Sequence, residues 1–182
     1  MNESDPRPDF LAALVWALSR AEALTPEQFA IPSPCDGWSV GDVVAHCAKV
    51  AGMVVGRLGG EAPAPADGDA GAVQTFASAA AAIPALVADD TLLDKEVAGP
   101  RGPQPVSTLL RMFTGEFLAH GWDIASVSGQ DAEANPELAE RALAFDQAAI
   151  PAEGRALPAF GPVVEVGLDA GPTRRLAAWL GR

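Results

Sequence analysis

The chain has two histidines, and both fall where a helix should be apolar. In the segment 109–127, His120 follows Glu116 by four residues, so a helix places the imidazole and the carboxylate on adjacent turns of one face. The rest of that face is apolar. An ionised carboxylate in such surroundings is heavily penalised unless a positive charge meets it, and no Lys or Arg lies one turn away on that face. The spacing therefore predicts a site in which a cation lies beside Glu116.

The other histidine, His46, lies between Val43 and Val50 on the apolar face of a second predicted helix. Two imidazoles and one carboxylate in a shared interior make three protein ligands for a divalent ion, with further positions open. The residues alone leave two interpretations. Either His46, Glu116 and His120 bind a metal, or they form a hydrogen-bonded polar network without one.

Two aspartates are candidates for orienting the histidines. Asp123 lies three residues after His120, and Asp42 lies four residues before His46, so each could accept a hydrogen bond from the ring nitrogen that faces away from the metal. Asp123 could instead be a fourth metal ligand. For Asp42 we favour a different role, in a capping box with Ser39 at the start of its helix.

The cysteines and tryptophans near these residues have less specific interpretations. Neighbours in a helix point about 100° apart, so Cys47 is badly placed to exchange a proton with His46, and we expect a small core residue. Cys35 lies in the loop before the second helix, close to its positive end, and its reactivity stays open. We expect Trp38 and Trp122 to be packing residues.

Three blocks of the chain, WSVGDVVAHC, GEFLAHGWDIASVSG and LAAWLGR, resemble the DinB-like superfamily. The branch is that of mycothiol-dependent maleylpyruvate isomerase and related actinobacterial metal-binding proteins. The resemblance covers the chain from about residue 8 onward and depends on the first two motifs occurring together in this order. It implies an all-α fold, a four-helix bundle that holds a divalent metal, usually zinc, with His46, Glu116 and His120 as ligands.

The resemblance also implies a chemistry. In the family the sulfur of a low-molecular-weight thiol, mycothiol in actinobacteria, binds the metal and attacks an electrophilic substrate. We therefore expect a thiol-dependent transferase or isomerase, with a small-molecule thiol and an electrophile as its partners. The alternative is a non-catalytic metal-binding bundle with a structural or ligand-sensing role. The isomerase has an extra C-terminal domain for which the residues after Gly129 are too few, so we do not expect maleylpyruvate isomerisation itself.

Composition limits the other functional classes. A chain of 182 residues with 49% hydrophobic and 20% charged residues predicts one globular domain, 1–182, with a bundle core over about 8–129 and a C-terminal appendage over about 130–182. The formal net charge of −12 disfavours nucleic acid and anionic membranes as partners. The first ten residues lack the features of a signal peptide, so we expect a cytoplasmic protein with free thiols. The oligomeric state stays open, with a homodimer among the options.

Periodicity and turn residues predict the elements that position the site. We expect helices over 8–24, 39–58, 72–88, 109–127, 136–149 and 172–180, and a single helical turn over 26–30. Pro84 is expected to kink or shorten the third helix. Residues 61–71 have the composition of a flexible linker, and 99–105 that of a turn. Short extended segments are expected over 93–97 and 162–168.

Overall fold

A computed structural model describes residues 5–99, 102–153, 160–167 and 169–182. Its elements, in chain order, are α1 (Arg7–Glu22), a 3-10 helix (Pro26–Ala30), α2 (Val40–Arg57), α3 (Gly68–Leu86), a second 3-10 helix (Asp90–Leu92), β1 (Glu96–Gly99), β2 (Gly102–Pro105), α4 (Val106–Ser128), α5 (Pro136–Ala149) and α6 (Pro172–Trp179). The expected all-α class is confirmed. Within the described ranges, none of the helices combines the length and the apolar character that crossing a bilayer requires.

Local side-chain chemistry explains where the helices begin and end. At the start of α2, the Ser39 hydroxyl accepts a hydrogen bond from the Asp42 amide at 3.1 Å, and the Asp42 carboxylate accepts one from the Ser39 amide at 2.8 Å. This confirms the predicted capping box. The Asn135 side chain caps α5 by accepting from the Leu138 amide at 3.0 Å. Gly129 ends α4 with a φ of 75°, a left-handed conformation that favours glycine.

Two predicted segments differ from the structure in their bounds. The linker is shorter than expected, because α3 begins at Gly68, and Pro84 lies in the last turn of α3 without ending it. The segment over 99–105 contains more than a turn. β1 and β2 pair antiparallel, with Glu96 opposite Pro105 and Gly99 opposite Gly102, and Gly102 has a φ of 114°, a conformation that favours glycine.

The segment over 162–168, expected to be extended, forms no strand in the residues that the structure describes there, 162–167. A strand needs a neighbour that satisfies its backbone groups. Here the Val164 amide instead donates to the Ala178 carbonyl of α6 at 2.9 Å. The segment therefore packs as irregular chain against the last helix.

The first four helices form a bundle in which α1 packs on α4 and α2 packs on α3, while α1–α3 and α2–α4 contacts close the ring. Three phenylalanines meet in its core, with the Phe117 ring 6.1 Å from the Phe10 ring and 5.8 Å from the Phe76 ring. Helices α5 and α6 pack on each other and on α4. As a result α4 is enclosed on several sides, and it is this helix that carries Glu116 and His120.

Candidate metal centre

The contact between α2 and α4 brings the three predicted ligands together. His46 Nε2 lies 2.8 Å from Glu116 Oε1, and His120 Nε2 lies 3.3 Å from the same oxygen. The two imidazole rings meet edge to face with their centroids 4.8 Å apart. Two nitrogen donors and one oxygen donor thus converge on one point, although 70 residues separate His46 from Glu116.

The spacing of these atoms fits a divalent metal. One ligand atom from each of His46, Glu116 and His120 lies within 4.8 Å of the others. Tetrahedral zinc with bonds of about 2.0 to 2.1 Å keeps its ligands about 3.3 Å apart, so small side-chain adjustments would suffice to hold an ion. The donor set of imidazole and carboxylate is also one that zinc prefers.

Asp123 lies on the other side of the His120 ring. Its Oδ2 is 2.9 Å from His120 Nδ1, and its side chain is fully buried. The two nitrogens of an imidazole point away from each other, so this oxygen cannot share an ion with His120 Nε2. Asp123 is therefore placed to orient His120 rather than to be a fourth ligand beside Glu116.

Without a metal, the charges of Glu116, Asp123 and the histidines stabilise one another despite burial. Burial opposes a charge on Glu116, but attraction and hydrogen bonds from His120 and His46 outweigh it, so the pKa of this carboxyl lies below its usual range. Burial likewise opposes a charge on His120, yet Glu116 and Asp123 face its two nitrogens and raise its pKa well above the usual value. Because a metal-binding imidazole must release its proton, a metal would compete with protonation of His120 beside Glu116.

Sequence reasoning missed two further partners of Asp123. Cys35 Sγ lies 3.2 Å from Asp123 Oδ2, and Arg182 Nε lies 3.3 Å from the same oxygen. Cys35 comes from the loop before α2 and Arg182 from the segment after α6. No periodicity links residues so far apart in the chain, so local patterns held no signal for either contact.

Cys35, His120 and Asp123 form a second group of potential metal ligands that shares His120 with the first. The Arg182 guanidinium lies against Asp123 in this group. A cation bound there would face that fixed positive charge at close range, which opposes its binding. The electrostatics therefore favour a metal on the His46 and Glu116 side of the His120 ring.

A cavity of about 540 Å³ opens beside the three predicted ligands, and all of them line it. Trp38, expected to be a packing residue, also lines this cavity and is 37% exposed. Its ring lies 5.1 Å from that of His46 and is nearly parallel to that of His120 at 6.4 Å. Hydrogen bonds within the loop fix its backbone, including one from the Ser33 amide to the Trp38 carbonyl at 2.8 Å. The indole thus forms an apolar part of the cavity wall.

Two other candidates lie away from the cavity. Asp42 is exposed and bonds to Ser39 in the helix cap, and no contact among the described residues joins it to His46. Cys47 is 1% exposed and belongs to the core, where burial raises the pKa of its thiol to about 12. An inert structural thiol is the expected result of that environment.

Comparison with known proteins adds a family to this geometry. The family described as mycothiol maleylpyruvate isomerase N-terminal domain matches residues 11–125, well over half of the chain. The chain belongs to this family. Two uncharacterized proteins, from two strains of Mycobacterium tuberculosis, are 28% identical to it over 158 residues, which cover 86% of this chain and 86% of each relative. No solved structure matches.

The part that matches the mycothiol maleylpyruvate isomerase N-terminal domain runs from α1 almost to the end of α4. It contains His46, Glu116, His120 and Asp123. The segment around Phe160 and Gly161 and the residues after α6, which complete the cavity wall, lie outside the matched part. The ligand cluster thus belongs to the family domain, whereas part of the cavity wall is contributed by the C-terminal appendage.

Proposed function

We propose that this protein binds a divalent metal, with zinc the first choice, through His46, Glu116 and His120, and that it is a thiol-dependent transferase or isomerase. One observation carries the proposal. Three converging ligand atoms line a cavity of about 540 Å³, and no fourth protein ligand joins them among the described residues. Family membership supports a mycothiol-type thiol as the cofactor, and the cytoplasm, where such thiols stay reduced, as the place of action.

The openness of the cluster favours catalysis over a purely structural metal. Structural zinc sites are closed by four protein ligands, whereas catalytic ones keep a position for water or substrate. The cavity is within the range of about 300 to 1,000 Å³ in which small-molecule sites fall. It therefore has room for the sulfur end of a thiol together with a small electrophile.

A bound divalent ion would supply Lewis acidity that favours the thiolate form of the thiol at neutral pH. The other contributions come from the chain itself. Glu116 offsets part of the metal's charge, Asp123 holds His120 with its Nε2 toward the cluster, and the Trp38 ring covers one side of the cavity. These groups would orient the reactants beside the metal.

The proposal is tested by metal analysis followed by a conjugation assay. Purified protein is expected to contain about one zinc per chain, and Glu116→Gln and His120→Ala are expected to lose it. With mycothiol and either the neutral electrophile monobromobimane or the anionic electrophile iodoacetate, the zinc-loaded protein should accelerate thioether formation, with loss of halide, at least tenfold over the free thiol for at least one of the two. Lys49→Ala changes an exposed residue three positions after His46 on α2, so it is the matched control and should behave as wild type.

The outcomes separate the two candidate functions. Zinc bound at full occupancy without any acceleration of conjugation would favour the non-catalytic metal-binding bundle. Protein without stoichiometric metal, or full metal occupancy in His120→Ala, would contradict the ligand assignment.

A further inference from the structure

One fixed positive charge lines the cavity among the described residues, the guanidinium of Arg182. The other charged or titratable groups in the wall are Glu116, the two imidazoles, the Cys35 thiol and Asp36. Asp36 is an exposed loop residue, so solvent screens its charge. Arg182 has a side chain only 12% exposed, and its charge acts at close range inside the cavity.

Arg182 is held in place by a set of contacts that leaves part of its side chain free. Its backbone amide donates to the Ala177 carbonyl at 2.9 Å, and its own carbonyl accepts from Arg174 Nη1 at 2.9 Å. Arg174 in turn stacks on the Trp122 ring at 4.6 Å. These contacts fix the backbone of Arg182 against the bundle, so the guanidinium has a defined position.

The guanidinium uses only two of its three nitrogens in these contacts. Nε donates to Asp123 at 3.3 Å, and Nη1 donates to the Leu180 carbonyl at 3.1 Å. Nη2 has no hydrogen-bond partner within the described part of the chain. Burial opposes the charge, but Asp123 outweighs it and raises the pKa of Arg182, so the group stays cationic. The remaining N–H groups suit the planar geometry of a carboxylate.

The charges around the cavity also favour an anion. Glu116 is engaged by both histidines, and Asp123 is engaged by His120, Cys35 and Arg182. Both carboxylates therefore already have donors of their own in the metal-free protein, and neither has to be displaced for Arg182 Nη2 to bind an anion. A negative group of a ligand would gain from the guanidinium charge there, since the surrounding wall is partly apolar and poorly screened.

We propose that Arg182 binds a carboxylate of the electrophilic substrate and thereby selects anionic electrophiles over neutral ones of the same shape. This proposal rests on the proposed function in one respect, namely that the bound carboxylate belongs to a substrate. The anion site itself requires no metal. Arg182 lies outside the matched family region, so the selectivity would be a property that the C-terminal appendage adds to the family domain.

A chemical-shift titration tests the anion site without any turnover. The full chain, labelled with ¹⁵N, is titrated with succinate and with the neutral isostere succinamide, both as purified and after zinc removal. Succinate is expected to shift the amide signals of Cys35, Trp38 and Arg182 and to bind at least fivefold more tightly than succinamide in both preparations. In Arg182→Gln this preference should disappear.

Two further variants sharpen the result. Arg175→Gln also removes one positive charge, but from α6, where Arg175 pairs with Glu140 away from the cavity. This variant should therefore keep the wild-type preference for succinate. Arg182→Lys retains the charge without the planar fork and should weaken succinate binding at least twofold with no effect on succinamide. If Arg182→Gln does not fold, Arg182→Lys provides the test in its place.

Equal affinity for acid and amide in the wild-type protein would overturn the proposal, and so would a preference that survives in Arg182→Gln. A preference that disappears in Arg182→Gln in a protein without metal or conjugating activity would support the anion site while contradicting the proposed function. The two proposals can therefore fail separately.

Discussion

Asp123 receives three donors on one carboxylate oxygen, from His120, Cys35 and Arg182. Its other oxygen, Oδ1, is buried without a hydrogen-bond partner in the described structure. Such an arrangement is costly to bury, and its effect is to hold the His120 ring with Nδ1 toward Asp123 and Nε2 toward Glu116. The carboxylate thus orients one of the proposed metal ligands without being one itself.

This role predicts the effect of Asp123→Asn. The variant keeps the shape of the side chain but loses the negative charge that makes the His120 imidazole a stronger electron donor to the metal. We therefore expect the zinc affinity to fall roughly 10- to 100-fold. Competition with a chromophoric chelator measures the affinity. Asp42→Asn is the matched control, because Asp42 lies near the other histidine in sequence but bonds in the helix cap. Equal losses in both variants would contradict the orienting role.

The sequence could predict the part of the site that lies within single helices. Glu116, His120 and Asp123 share a face of α4, and helical spacing alone brings them together. The contacts of Cys35 and Arg182 with Asp123 span 88 and 59 residues, and no local pattern carries such information. Trp38 was predicted to be a packing residue because the sequence does not show how its loop folds over α2 and α4, and that fold decides whether the indole faces the cavity.

At the level of elements, α4 is the helix that must fit most closely against its neighbours. Glycines directly flank the two proposed ligands that it carries, Glu116 and His120. A Cβ added at Gly115 would collide with the Asp146 carboxylate of α5, and one added at Gly121 would collide with the Trp16 ring of α1. The missing side chains let α1 and α5 approach the part of α4 that presents Glu116 and His120.

Gly121→Ala is therefore expected to destabilise the protein by about 1 to 3 kcal/mol, because the rigid Trp16 ring has to move. The matched control is Gly56→Ala, in the exposed face of α2, where an added Cβ meets nothing within 4 Å. There, alanine should stabilise the helix by up to about 1 kcal/mol. Urea denaturation of both variants measures the two changes, and a neutral or stabilising Gly121→Ala would contradict close packing at this point.

Helices were more predictable than strands for a physical reason. A helix satisfies its backbone within one segment, so caps such as Ser39 and Asn135 and the terminator Gly129 mark its ends in the sequence. A strand depends on a neighbour. The second strand of the hairpin, Gly102–Pro105, has two prolines and little strand propensity, and it is a strand only because β1 lies beside it.

At the level of the whole molecule, burial of acidic groups couples stability to pH. The chain carries a formal net charge of −12, and most of its carboxylates face water, but Asp146 is 3% exposed where α5 meets α4. Burial, with a smaller contribution from the charge of Glu116, raises the pKa of Asp146 to about 8. This carboxyl is therefore neutral in the folded protein under conditions where it ionises in the unfolded chain.

The direction of the pH dependence follows from that difference. A carboxyl whose pKa is raised on folding contributes stability that is fully present below its unfolded pKa of about 4 and is lost as the pH rises to about 8. The loss cannot exceed about 1.4 kcal/mol per pH unit. Asp146→Asn is neutral at every pH, so its stability relative to wild type should increase from pH 5 to pH 8 and then level off.

Urea denaturation of metal-free protein at pH 5, 6, 7, 8 and 9 measures this difference, and comparing variant with wild type cancels the titration of His120, which both proteins share. Asp94→Asn makes the same replacement at an exposed position and should run parallel to wild type at every pH. If Asp146→Asn also runs parallel, Asp146 is ionised in the fold. An ionised Asp146 would contradict the raised pKa that burial at the contact between α4 and α5 is expected to cause.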